Sequence, residues 1–173
     1  MSVTLISGPM GSGKTLYMTR LLYEHQRRGK RRIYANYGLK FPFTPMTKDT
    51  LKSYQDWDYK GISMGIDELH IFMDSRMSMT SQNRFMSYWF LQTRKRGVDF
   101  IATTQYPDQI DKRVRRICDV WCECKCVKRG RSVYVIVEKW YTGLKNQKKP
   151  VMEVFKANPY FEKYDTNEVI GFE

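Results

Sequence analysis

What this sequence lacks narrows its reading first. No apolar run approaches the ~18 residues that a membrane span requires. The N-terminus opens directly on a strand-like run, Val3 to Ser7, without the basic, apolar and small-residue succession of a secretory signal. A cytosolic protein with no transmembrane segment of its own is therefore expected. There is no internal repeat, no low-complexity tract and no dividing linker, so the 173 residues read as one domain, long enough to bury a core. Acidic residues are few: 18 against 30 Lys and Arg, for a net charge of +12. That imbalance favours an anionic partner such as nucleic acid or a membrane surface. The four cysteines, Cys118, Cys122, Cys124 and Cys126, lack the paired C-x2-C or Cys/His sets of a zinc knuckle. On an extended strand, Cys122, Cys124 and Cys126 share one face; buried, reduced thiols are expected.

The basic residues that are present are clustered. Arg27, Arg28, Lys30, Arg31 and Arg32 form one group, and Arg94, Lys95 and Arg96 a second. Lys112, Arg113, Arg115 and Arg116 form a third, and Lys128, Arg129 and Arg131 a fourth. Any one group is explained by a solvated helix end or turn tip. Four in one small domain point to polyanion contact, with DNA the expected partner.

Strand and helix patterns alternate through the first two-thirds. Residues 3–7 read as a buried strand, Leu16 to Arg28 as a helix with Tyr17, Met18, Leu21 and Leu22 on one face, and Gly29 as its stop. Arg32 to Tyr37 is a second strand, Lys48 to Tyr54 a short helix, and Ile62 to Asp67 a third strand. Gln82 to Arg96 reads as a helix with Phe85, Met86, Trp89 and Phe90 inward, Val98 to Thr104 as a fourth strand, and Asp111 to Arg116 as a short helix. Val120 to Val127 and Ser132 to Tyr141 then alternate as a hairpin about Arg129-Gly130, and Val151 to Lys156 adds a strand. Asn158 to Glu173 has no clear period. The expected fold is α/β: a mainly parallel central sheet flanked by helices, extended by a C-terminal antiparallel β-hairpin. Within one domain, residues 1–118 form the expected core, 119–157 the hairpin and edge extension, and 158–173 a tail.

The sharpest motif is Gly8-Pro9-Met10-Gly11-Ser12-Gly13-Lys14-Thr15, a full match to G-x-x-x-x-G-K-[ST] between a strand and a helix. Its backbone N–H groups and the helix N-terminus are expected to cradle nucleotide phosphates, with Leu16 completing the set. Lys14 supplies a charge to the β- and γ-phosphates and Thr15 a hydroxyl ligand for Mg2+. Ile66-Asp67-Glu68 ends the third strand. Asp67 is assigned to the Mg2+ shell and Glu68 to polarising an attacking water. Thr103-Thr104-Gln105 closes the fourth strand, where a polar side chain can touch both γ-phosphate and water. Arg94 and Arg96, just before that strand, are the candidate cations for charge developing on the transferred phosphoryl group. Together these residues predict an ATPase using ATP and Mg2+.

This order of P-loop, Asp-Glu, R-x-x-G and an apolar strand ending in Thr-Gln resembles the FtsK–HerA superfamily of ring-forming, DNA-pumping ATPases. The resemblance puts Arg94 at the finger position, Asp67 and Glu68 at the metal and base positions, and Gln105 at the sensor position. The stretch from Ser75 through Asn83, Arg84, Ser87, Tyr88 and Leu91 to Asp99 and on to Gln105 is similar to Zot-like proteins, which include the assembly ATPases of filamentous phages. Asp108 to Arg113 and Tyr164-Asp165-Thr166 share that likeness. It implies a homo-oligomeric ring, six-fold by analogy, with a finger supplied by the next subunit and with capsid or membrane assembly proteins as partners. Phage extrusion proteins of this kind carry a membrane span, which this sequence lacks. The expectation accordingly leans to a viral motor that packages DNA, in the host cytoplasm or on the virion, with extrusion as the alternative. A small nucleotide kinase shares the loop and the length, but no arginine-bearing lid is recognisable. A nucleotide-dependent scaffold without turnover would leave Glu68 without a purpose.

Overall fold

The computed structural model describes residues 2–47, 59–71, 88–89, 91–92, 95–143 and 147–165. Its elements are β1 (Val3–Ser7), α1 (Lys14–Gly29), β2 (Arg32–Ala35), β3 (Thr44–Pro45), β4 (Ile62–Ile66), β5 (Asp99–Thr104), α2 (Lys112–Arg116), β6 (Val120–Arg129), β7 (Ser132–Tyr141) and β8 (Val151–Lys156). Short 3-10 turns occupy Leu69–Ile71, Pro107–Gln109 and Asn158–Lys163. The strands form one sheet in the order β3-β2-β4-β5-β1-β6-β7-β8. All pairings from β3 to β6 are parallel, and β6-β7 and β7-β8 are antiparallel. The expected mainly parallel sheet with a C-terminal hairpin is thus present.

The hairpin is more deeply built in than its sequence suggests. β6 pairs in parallel with β1 from Thr4↔Val120 to Ser7↔Glu123, then runs on beyond the end of β1 to pair with β7. The sheet is continuous across residue 118. On β8, Glu153 meets α1 directly: Tyr17 Oη donates to it at 3.1 Å and Arg20 Nη1 at 2.5 Å.

Alternation along the central strands divides the core into two layers. Val3 and Leu5 of β1, Ile62, Met64 and Ile66 of β4, and Phe100 and Ala102 of β5 face one side, with Trp89 and Val114 over them. Ile6 and Ile101 face the other side, beneath Leu16, Tyr17, Met18 and Leu22 of α1. Each of those four helix side chains is at most 2% exposed, and burial of each contributes ~1.5–3 kcal/mol. Tyr88, Trp89, Leu91, Gln92 and Lys95 are helical, in keeping with the predicted helix there. Phe85, Met86, Phe90 and the helix predicted over Lys48 to Tyr54 lie outside the described residues.

β4 carries Ser63 and Gly65 among its apolar residues, and the packing explains both. They face α1. A Cβ on Gly65 would stand 2.5 Å from Leu22 Cδ1, so glycine lets the helix seat on the strand. Ser63 Oγ lies 2.9 Å from His25 Nδ1 of the same helix.

Several expectations are corrected. β2 stops at Ala35, because Asn36 and Tyr37 turn away to serve the site described below. Lys30 takes the left-handed conformation that ends α1 (φ 48), with its N–H bonded to the His25 carbonyl, and Gly29 is the last helical residue. Cys118, Cys122 and Cys124 are buried and no disulfide forms, but Cys126 is exposed, because β6 by then has run past β1 and its cover. The segment after β8, aperiodic in sequence, forms a 3-10 turn and then bridges Leu39 through Tyr164.

Candidate nucleotide site

The register Ser7↔Thr104 and Ile66↔Ala102 sets the ends of β1, β5 and β4 on one edge of the sheet. In open α/β sheets, ligands bind beyond the carboxyl ends of the strands. Here the P-loop, Asp67-Glu68 and Gln105 meet there, around a pocket of about 520 Å³ that includes Gly13, Lys14, Thr15, Asp67, Glu68 and Gln105 in its lining. Gly11, Met10 and Leu16 line it too.

The loop turns tightly, with Ser12 N–H donating to the Pro9 carbonyl at 3.2 Å. Gly13 sits at φ 89, and a Cβ there would meet Val135 Cγ2 of β7 at 2.8 Å. Both constraints call for glycine. No side chain caps the N-terminus of α1, so its first-turn N–H groups are left to serve an anion. Two polar groups fit phosphate binding further. Ser12 Oγ is buried with no hydrogen-bond partner. Lys14, 5% exposed, rests its Nζ on the Pro9 carbonyl at 3.0 Å, a neutral oxygen standing where a phosphate oxygen would bind more strongly.

Asp67 is 4% exposed. Burial pushes its carboxyl above the usual range, a bond from Thr103 opposes this, and neighbouring Glu68 adds to it. Thr15 Oγ1 lies 3.0 Å and 3.1 Å from the two carboxylate oxygens, and Thr103 Oγ1 donates to Oδ1. Two hydroxyls offset a buried charge only in part. A hard divalent cation would offset it fully. Thr15 and Asp67 supply oxygen donors of the type Mg2+ takes, one carboxylate being enough where phosphates complete the shell. Among the described residues, no group of three or more His, Cys, Asp or Glu side chains is placed to hold a metal alone.

Glu68 is held from three sides. Its N–H donates to Thr103 Oγ1 at 3.0 Å, Gln105 Nε2 donates to its Oε1 at 2.9 Å, and His70 Nδ1 lies 3.3 Å from its Oε2. Its backbone is left-handed at φ 52, uncommon for a side chain of this kind and typical of over-determined sites.

Of the two arginines, Arg94 lies outside the described residues. Arg96 is placed at the opposite edge of the sheet, before β5, with its guanidinium 4.6 Å from the Tyr59 ring centroid. The structure does not bring it to the pocket of its own chain. Conversely, the structure brings to the site residues to which the motifs gave no role. Asn36 grips the Asp67 main chain, His70 faces Glu68, and Tyr37, Phe161 and Tyr164 line the pocket. Asn36 carried no signal of this in the sequence, where it falls inside the strand expected over Arg32 to Tyr37.

Fold and loop geometry together define a P-loop NTPase fold. The model of the zonular occludens toxin (Zot) family matches residues 2–154, and the chain belongs to that family. No curated protein matches the sequence. Among solved structures, the N-terminal domain of zonular occludens toxin from Neisseria meningitidis aligns over 95% of this chain and 98% of its own, with 19% identity and a TM-score of 0.66. The genome packaging NTPase B204 from Sulfolobus turreted icosahedral virus 2, in complex with ATP-gammaS, aligns over 90% and 97%, with 10% identity and a TM-score of 0.59. The flagellar accessory protein FlaH from Methanocaldococcus jannaschii aligns over 87% and 84%, with 13% identity and a TM-score of 0.56. At these identities the likeness is one of fold. No helix among the described residues is long and apolar enough to cross a membrane.

Proposed function

We propose that this chain is the ATP-hydrolysing motor of a virus, moving DNA in genome packaging or virion assembly. The observation that carries the hydrolytic part is the contact of Gln105 with Glu68 beside the Thr15–Asp67 pair. A loop that merely binds nucleotide has no need of a second, oriented carboxylate. With ATP bound, Lys14 exchanges the Pro9 carbonyl for phosphate oxygen, and the α1 N-terminus holds the phosphate chain. Mg2+ held at Thr15 and Asp67 would neutralise charge on the β- and γ-phosphates. Glu68 orients water in line with the γ-phosphorus and accepts its proton as the new P–O bond forms and the bond to ADP breaks. Gln105, bonded to Glu68 and lining the same pocket, would also touch the γ-phosphate, so loss of phosphate would be felt at Glu68.

Support for the motor reading is the net charge of +12, membership of the Zot family and a fold like that of a viral genome packaging NTPase. Arg96 packs away from its own pocket, so a finger supplied by Arg96 would act on the site of a neighbouring copy, as in a ring. Extrusion with a membrane partner is the second reading. It is favoured by the end-to-end alignment with a domain that is itself N-terminal in its parent protein, which removes the weight that the missing span gave to packaging. ATPase rate against protein concentration, with and without double-stranded DNA, tests the proposal. A rate per chain that rises with concentration and with DNA supports a ring motor on DNA. A rate indifferent to DNA turns the reading to extrusion, and phosphate transfer to a nucleotide instead of water would make the protein a kinase.

A further inference from the structure

The pocket beyond the P-loop has a second wall that phosphates do not require. The segment after β8 supplies it: Phe161 and Tyr164 line the same cavity as Gly13, Lys14 and Thr15. Phe161 is 43% exposed and is not among the described side chains packed against either core layer. Its aromatic neighbours are committed to the fold. Tyr160 meets Phe155 edge-on at 5.8 Å, and Tyr164 meets Tyr37 at 6.4 Å.

The support of this ring is fixed at both ends. Asn158 Oδ1 accepts from Val133 N–H at 2.9 Å, and its Nδ2 donates to the Arg131 carbonyl at 3.2 Å. At the far end, Lys40 N–H donates to the Lys163 carbonyl at 2.8 Å, and Asp165 N–H to the Gly38 carbonyl at 3.1 Å. An apolar ring is thus held beside a phosphate site, with little left to order on binding.

We infer that the heterocyclic base of the bound nucleotide packs on Phe161, with Tyr164 closing the pocket beside it. The inference rests on the reading of the P-loop as a nucleotide site and deepens it. Every base presents a π-face, so contact with an aromatic ring is sequence-tolerant. The subsite therefore takes nucleoside triphosphates as a class, and ATP and GTP are expected to bind within a few-fold of each other.

Calorimetric titration of the full chain with Mg-ATP and with Mg-tripolyphosphate separates the two parts of the site. The wild type is expected to bind ATP roughly ten-fold or more tightly than tripolyphosphate. Phe161→Ala should bring ATP down to the tripolyphosphate level and leave tripolyphosphate binding unchanged. Phe161→Trp should retain ATP affinity, and Phe161→Leu, which keeps apolar bulk without a π-face, should lose most of it. Unchanged thermal melting of each variant is expected, because the ring lies outside the core. Wild-type ATP affinity in both Phe161→Ala and Phe161→Leu would overturn the subsite, while tripolyphosphate binding abolished by Lys14→Ala would keep the P-loop reading intact. Failure of the wild type to bind either ligand would overturn the nucleotide reading and the subsite with it.

Discussion

Asn36 holds Asp67 by its main chain: Nδ2 donates to the Asp67 carbonyl at 3.0 Å, and Oδ1 accepts from the Asp67 N–H at 2.7 Å. One carboxamide at the end of β2 therefore satisfies both backbone groups of the residue assigned to Mg2+. Asn36→Ala leaves two part-buried groups without that partner and is expected to cost ~1–3 kcal/mol in urea unfolding. Asn36→Asp keeps an acceptor and loses the donor, so it should fall between. An Asn36→Ala protein as stable as wild type would show that water replaces the clamp.

Glu68 and Lys14 should separate turnover from binding. Glu68→Gln is expected to lower phosphate release by ~10²–10⁴ with ATP still bound, whereas Lys14→Ala should weaken ATP binding itself. Gln105→Ala should slow turnover with little change in affinity. Normal turnover in Glu68→Gln would remove the proposed base.

Gly65 sets the distance between β4 and α1. Gly65→Ala places a methyl 2.5 Å from Leu22 Cδ1 and is expected to destabilise by ~1–3 kcal/mol through overpacking. Leu22→Ala opens a cavity at the same spot. The double variant should lose less than the two single losses combined, a coupling that a double-mutant cycle measures. Strict additivity would mean that the helix shifts to accommodate each change.

The thiols should differ sharply in reactivity. Burial pushes Cys122 and Cys124 up to about 12, so neither offers thiolate at neutral pH. Cys126 is exposed and lines the P-loop pocket. A disulfide reagent should label one thiol of the native chain quickly and all four after denaturation, and Mg-ATP should slow the fast one. Equal labelling with and without nucleotide would place the ligand away from Cys126.

Asp111 caps α2 through the Arg113 N–H at 2.8 Å, and its side chain also pairs with the Arg113 guanidinium. Arg113 holds its carboxyl below the ordinary value of 3.8. A folded pKa below the unfolded one stabilises above the unfolded value and ceases to do so as pH falls through the folded one. Asp111→Ala should cost ~1 kcal/mol at neutral pH, and the difference from wild type should begin to shrink as pH falls below about 4 and disappear once pH has passed the lower folded value. A constant difference down to pH 2 would assign the loss to packing.

The P-loop, the carboxylate pair and the strand–helix alternation were legible because each rests on local chemistry: a glycine pattern, a charged pair after an apolar run, a change of period. What was not legible depends on neighbours distant in sequence. Gly65 and Ser63 weaken the apolar signal of β4, and only the approach of Leu22 and His25 accounts for them. Asn36 reads as one more strand residue until β2 ends at Ala35 beside β4. Cys126 shares its strand face with Cys122 and Cys124, yet the cover over them ends first. Phe161 lies in a segment with no period at all, and its closeness to Gly13 comes from the chain returning across α1.

β6 carries a further consequence for how this protein can be taken apart. Its first half is a neighbour of the P-loop strand, and its hairpin partner places Val135 against Gly13. A chimaera joined near residue 118 would therefore graft a foreign back plate onto the nucleotide loop. The smallest transplantable unit runs at least to the end of β7, and a pull on the hairpin would reach the loop at both ends, through the Cys124 carbonyl beside Gly8 and through Val135 beside Gly13.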